Sequence, residues 1–229
     1  MRQEELAKSI DHTNLNPDAT VKDIERLCGE ARKYNFASVC VNPCNVNIAY
    51  RLLHDSAVKI CTVAGFPLGA TTSGAKAHET REAIELGADE IDMVMNIGAL
   101  KSGLHGEVYT DMRSVVEAAR VGEVGAGRDI IIKVIIECGL LTDEQKIRAS
   151  QIVQEAGADF VKTSTGFAGS GATIEDVELI RSNVPFDMGI KAAGGIKTAS
   201  HAIALLNAGA SRIGTSSGVK IMVEVLGEE

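Results

Sequence analysis

Short β-branched runs alternate with longer amphipathic stretches along the whole chain, and this alternation restricts the fold more than any other feature. The runs fall at 9–12, 37–41, 58–64, 90–95, 129–136, 159–163, 188–192 and 212–215, each of strand length. Between them, stretches such as 20–34, 73–86, 142–156 and 173–182 carry apolar residues at helical spacing and open at or near a Ser or Thr able to cap them. Thr142-Asp143-Glu144-Gln145 reads as a capping box. One local pattern recurs at three helix-to-strand junctions: Leu86-Gly87-Ala88, Ala156-Gly157-Ala158 and Ala208-Gly209-Ala210. Glycine there reaches φ > 0 without a Cβ penalty, so the chain turns at once into a parallel strand. No linker or shift of composition divides the chain. The expectation is an α/β fold: one domain over residues 1–229, a (β/α)8 TIM barrel with a short N-terminal helix. An open doubly wound sheet is the alternative, but no G-x-G-x-x-G follows the first strand.

Charge and composition then remove several function classes. With 23 Lys+Arg against 31 Asp+Glu the formal net charge is −8, and no basic cluster offers itself to nucleic acid or to an anionic membrane. Three Tyr, five Phe and no Trp leave little for stacking on bases. The opening MRQEELAKSI has no apolar signal core, and the apolar stretch at 130–136 is interrupted by Lys133, so a cytoplasmic protein without a membrane span is expected. Cys40 and Cys44 are spaced C-x3-C with no further Cys or His pair nearby, and His78-Glu79-Thr80-Arg81 lacks the second His of HExxH. Free thiols in a reducing compartment are expected, with no metal and no cofactor.

Charges inside strand runs are the exception to the pattern. Asp92, Lys133, Lys162 and Lys191 each interrupt an apolar run, in four consecutive strands. A lone strand charge is usually an edge residue, but a closed barrel has no edges, and four together call for a chemical explanation. Adjacent strands lie about 4.8 Å apart, which brings Lys162 and Lys191 close. Two neighbouring cations in a partly buried site lower the pKa of one of them from about 10.4 toward neutrality. A neutral lysine amine attacks carbonyls to form a Schiff base, the electron sink of aldolase chemistry. Asp92, from an alternate strand, can share their layer and accept or relay a proton; simple charge balance is the bland account of it. Gly194-Gly195 after strand seven and Gly214-Thr215-Ser216-Ser217-Gly218 after strand eight stand where barrels often bind phosphate, and Thr165-Gly166 adds a third wall.

The stretches Val161-Lys162-Thr163-Ser164-Thr165-Gly166-Phe167, Lys191-Ala192-Ala193-Gly194-Gly195-Ile196, Asp89-Glu90-Ile91-Asp92-Met93-Val94 and Gly214-Thr215-Ser216-Ser217 together resemble the deoxyribose-phosphate aldolases, a family of class I aldolases. The likeness runs from Ile10-Asp11-His12-Thr13 to the last loop. It implies reversible cleavage of 2-deoxy-D-ribose 5-phosphate to D-glyceraldehyde 3-phosphate and acetaldehyde, in deoxyribonucleoside catabolism. By position, Lys162 is implied as the Schiff-base lysine, Lys191 as the second lysine and Asp92 as the proton donor or acceptor. Gly166, Gly194, Gly195, Gly214, Ser216 and Ser217 match the phosphate loops, Asp11, Thr13 and Cys40 the cavity lining, and Lys133 a charged neighbour. Some members carry a lysine where Phe167 stands, so phosphate affinity here is expected to lean on backbone N–H groups. A homo-oligomer, dimer or tetramer, is expected for such barrels. Another phosphate-binding barrel enzyme, such as an isomerase, and a non-catalytic phosphometabolite-binding barrel are the competing readings.

Overall fold

The computed structural model describes residues 2–227; Met1, Glu228 and Glu229, at the ends of the expected 1–229 unit, lie outside the described residues. In chain order the elements are α1 (Gln3–Ala7), β1 (Ile10–Asn14), α2 (Val21–Tyr34), β2 (Ser38–Val41), α3 (Val46–Leu53), β3 (Lys59–Ala64), α4 (Ser73–Glu85), β4 (Glu90–Val94), α5 (Ile97–Lys101), α6 (His105–Ala126), β5 (Ile131–Ile135), α7 (Asp143–Ala156), β6 (Phe160–Lys162), α8 (Ile174–Arg181), β7 (Gly189–Ala193), α9 (Ala199–Asn207), β8 (Arg212–Thr215) and α10 (Gly218–Leu226). Every strand pairs parallel with its sequence neighbours, and β8 returns to β1, so the sheet closes as the sequence pattern requires. The short N-terminal helix is present as α1.

Local chemistry accounts for the element ends. Thr20, Thr72, Thr142, Thr173 and Thr198 each accept a hydrogen bond from the backbone N–H three residues on, and Thr20 and Thr142 complete capping boxes with Asp23 and Gln145. The three repeated junction glycines have φ of 109° (Gly87), 81° (Gly157) and 116° (Gly209), which a side chain would strain. Strand β6 is shorter than the 159–163 run. At Thr163 the backbone N–H still donates to Lys191 O, but Ala193 N donates to the Thr163 hydroxyl, which in turn donates to Ala193 O.

Alternation along the strands sorts residues by type. Val39, Ile60, Ile91, Met93, Ile132, Val134, Val161, Ile190 and Ile213 belong to the apolar layer shared with the surrounding helices. Their alternates include Asp11, Cys40, Cys61, Glu90, Asp92, Lys133, Lys162 and Lys191, all buried. The registry sets Lys162 opposite Lys191 and Asp92 opposite Lys133, so the charged residues meet in neighbouring rows inside the barrel.

Candidate active site

Asp92 is the hub of the interior. Its Oδ2 lies 2.8 Å from Lys162 Nζ and 2.7 Å from Lys191 Nζ, and its Oδ1 lies 2.8 Å from Lys133 Nζ. Burial alone would raise the Asp92 carboxyl, but the three ammonium groups outweigh it and hold it well below the usual carboxylate range. Asp11 is held down in the same way, by Lys191 and Arg212 against burial, with Lys191 Nζ at 2.5 Å.

These carboxylates change the electrostatic expectation for the lysine pair. The two lysines are not bare neighbours, because Asp92 bridges them. Burial works against the charge of Lys191, yet Asp11 and Asp92 raise its ammonium above the ordinary lysine range, and Lys133 is raised likewise by Asp92 and Glu90. The three lysines therefore differ in how many carboxylates they share. Lys162 shares a single carboxylate, Asp92, whereas Lys191 and Lys133 each lie on two or more.

Above this cluster a cavity of about 220 Å³ opens at the C-terminal ends of the strands, and Lys162 lines it together with Thr13, Thr165, Gly166, Gly194, Gly195, Gly214 and Ser216. Asp92, Lys191, Lys133, Asp11 and Cys40 are buried beneath or beside it. Cys40 joins Leu15, Cys61, Val63 and Phe66 in a small apolar wall. Thr13 Oγ1 donates to its neighbour Asp11 O at 2.9 Å, so the threonine also braces β1. Ser217 N–H donates to Thr215 Oγ1 at 2.9 Å, and the residue lines an adjoining cavity between α2 and α10 that shares Thr13 and Ser216 with the first. Gly214 lines the cavity and also makes room for the second lysine, since a Cβ there would stand 3.0 Å from Lys191 Cε.

The polar loops fit an anion. Gly166, Gly194 and Gly195 have φ of 84°, 92° and 73°, turning their loops toward one another, and the N–H groups of Gly166, Gly195 and Ser216 find no hydrogen-bond partner among the described residues. Phe167, 54% exposed, meets Phe66 edge-on with ring centroids 5.2 Å apart, making an aromatic lip on this mouth. The sequence reading missed Lys197, an exposed cation on the same mouth one residue after Ile196. It also missed Glu137, which is buried with φ 57° and accepts from Thr165 N and from Thr165 Oγ1 at 2.5 Å, fixing the start of the third loop. Cys61, Glu90 and Arg212 are further interior residues it passed over; each alternates in register with one it named, which was the available signal. The ligand-type atoms of Cys40, Cys61 and Asp92 lie within 4.8 Å of one another, as do those of Asp11, Cys61 and Glu90. Four surrounding cations already occupy the carboxylates, a donor set better matched to ammonium groups than to a divalent ion. Among the described residues no helix is long and apolar enough to cross a membrane.

The chain matches the model of the DeoC/LacD family aldolases over residues 6–224. It is 58% identical over 217 residues to a deoxyribose-phosphate aldolase of Streptococcus pneumoniae (strain Taiwan19F-14), covering 95% of each chain. A deoxyribose-phosphate aldolase of Thermoanaerobacter sp. (strain X514) is 53% identical over 219 residues, covering 96% of each. Among solved structures, a deoxyribose phosphate aldolase of Aeropyrum pernix, described as a tetramer, superposes with a TM-score of 0.88 at 34% identity, over 98% of this chain and 92% of that one.

Proposed function

Because this chain belongs to the DeoC/LacD aldolase family, we propose that it cleaves 2-deoxy-D-ribose 5-phosphate reversibly into D-glyceraldehyde 3-phosphate and acetaldehyde through a Schiff base on Lys162. The observation that carries this reading is the position of Lys162: it lines the open cavity while its Nζ sits 2.8 Å from the buried Asp92 carboxylate. The Lys162 amine adds to the aldehyde carbon, water leaves, and a protonated imine forms. The C3 hydroxyl gives up its proton as the C2–C3 bond breaks, and the electron pair enters the iminium as an enamine while glyceraldehyde 3-phosphate departs. Asp92, between two lysines, relays the protons, and Lys191 is the adjoining proton reservoir. Protonation of the enamine carbon and hydrolysis release acetaldehyde and restore the amine. Each of these steps uses only side chains and water.

The phosphate is assigned to the N–H groups of Gly166, Gly194, Gly195 and Ser216 with Lys197 at the rim, and Asp11, Thr13, Thr165 and Cys40 to the walls. Five free thiols suit a cytoplasmic setting, and a homo-oligomer in deoxyribonucleoside catabolism accompanies the assignment. Borohydride reduction in the presence of acetaldehyde tests it. The expected result is an adduct of one reduced two-carbon unit on the peptide carrying Lys162, absent in Lys162→Met, with cleavage activity lost in the same variant. A barrel isomerase would show turnover and no adduct, and a binding-only barrel would show neither.

A further inference from the structure

Six interior side chains form a closed ring of alternating charge. Arg212 Nε lies 2.7 Å from Asp11 Oδ1, Asp11 Oδ2 lies 2.5 Å from Lys191 Nζ, and Lys191 lies 2.7 Å from Asp92 Oδ2. Asp92 Oδ1 lies 2.8 Å from Lys133 Nζ, Lys133 lies 2.6 Å from Glu90 Oε2, and Glu90 returns to Arg212 Nη2 at 2.6 Å. Three cations and three carboxylates make the ring neutral. Lys162 hangs outside it on Asp92, a fourth cation with no fourth carboxylate to match it. The side chains of Asp11, Glu90, Asp92 and Lys133 are 1% exposed or less, and Arg212, at 14%, is the one member that reaches solvent.

We propose that Arg212 and Glu90 are positioning residues which, without touching substrate, close this ring at the base of the barrel and so leave Lys162 as the surplus cation of the chamber. The inference rests on the Schiff-base reading of Lys162 and adds what sets this lysine apart from the other two: it has one carboxylate partner, and that carboxylate is already shared with the ring. Without Arg212, Asp11 and Glu90 would carry unbalanced negative charge that stabilises the Lys162 ammonium. Without Glu90, a second surplus cation would oppose it. The charged and titratable groups of the interior that Lys162 shares are Asp11 (β1), Glu90 and Asp92 (β4), Lys133 (β5), Lys191 (β7) and Arg212 (β8), with the thiols of Cys40 (β2) and Cys61 (β3); only Asp92 touches it directly. Burial pushes the Cys61 thiol well up.

The test follows the rate of borohydride trapping by acetaldehyde at Lys162 between pH 5 and 10, which reads the amine directly and not the thiols. In Arg212→Gln the midpoint should move up by about one pH unit, so that trapping near neutral pH slows by about tenfold, as expected for a unit charge a few side chains away at an effective dielectric constant near 20. In Glu90→Gln it should move down by a similar amount. In the double variant, where Lys133, Lys191, Asp11 and Asp92 again balance, it should return to the wild-type position. A purely structural role predicts slower trapping at an unmoved midpoint and additive losses in the double variant, and that result overturns the proposal. Should Arg212→Gln fail to fold, Glu90→Gln decides alone: a downward move supports the ring and an unmoved midpoint refutes it. Absence of any adduct on Lys162 in the wild type at every pH would instead reject the Schiff-base reading itself.

Discussion

At the residue scale, Gly214 and Glu137 carry roles that the chemistry of their own atoms does not announce. A Cβ on Gly214 would stand 3.0 Å from both Lys191 Cε and Ala193 Cβ, and Lys191 cannot swing away because Asp11 and Asp92 hold its ammonium. Gly214→Ala should therefore cost about 1–3 kcal/mol of stability as overpacking, and displace the second lysine. Cleavage kcat should fall at least tenfold, by roughly 1.4 kcal/mol or more in barrier. Thermal melts and steady-state rates on one preparation check both; an unchanged kcat would mean Lys191 tolerates the shift. Glu137 holds Thr165 through both its N–H and its hydroxyl at the mouth of the cavity, where the phosphate is proposed to bind. Its conversion to Gln keeps the volume but loses the charge-assisted bonds, which are worth about 1.5–3 kcal/mol. KM for deoxyribose 5-phosphate should rise about tenfold or more while KM for unphosphorylated deoxyribose changes little. An equal rise for the two sugars would remove Glu137 from the phosphate loop.

At the element scale, a buried ion pair ties α4 and α6 to the loop that follows β4. Lys76 of α4 is fully buried and its Nζ lies 2.6 Å from Asp111 of α6, which also accepts from Ser73 Oγ and from the N–H of Asn96 after β4. Burial lowers the Lys76 ammonium against the pull of Asp111. Removing one partner of a buried pair strands the other, so Asp111→Ala should destabilise the protein by about 3 kcal/mol, whereas the double variant with Lys76→Met should recover much of that loss. Chemical denaturation of the three variants measures the coupling, and additive losses would show that the pair acts separately. These helices also mark the limit of what the sequence disclosed. Strands and Thr-capped helices were legible because period and cap are local, but α6 (His105–Ala126) was not, because it packs against α4 on one side and α7 on the other and so blurs its polar face. Asp92, Lys133, Lys162 and Lys191 stood out because each breaks an apolar run. Glu90 and Arg212 sit at the starts of β4 and β8, where polar residues are ordinary, and only closure of the barrel sets them against the Asp92 cluster.

At the scale of the whole molecule, the net charge of −8 includes an interior cluster of four cations and three carboxylates, so the sum is set by the solvated exterior and hides an interior of opposite sign. The interior ion pairs make stability flat through the neutral range. Asp11 and Asp92 are depressed, so their contribution is complete above their unfolded pKa near 4 and is lost as pH falls through folded values lower still. Lys133 and Lys191 are raised, so theirs is complete below about 10.4 and is lost only as pH climbs through folded values above that. They are the same pairs viewed from either partner and count once. Between these limits the group placed to tilt the curve is His12, which lies beneath α2 and α10. Burial lowers its imidazole despite the bond of 2.7 Å to Glu30. A depressed histidine contributes fully above its unfolded pKa near 6.5 and loses that contribution as pH falls through its lower folded value. Melting temperature should thus fall in a first step below about pH 6.5, before the acidic loss carried by the interior carboxylates. His12→Gln keeps a donor for Glu30 but cannot charge, so the step should vanish in that variant while the more acidic loss persists. Melting curves from pH 4 to 8 decide it, because a step that survives in His12→Gln belongs to some other group.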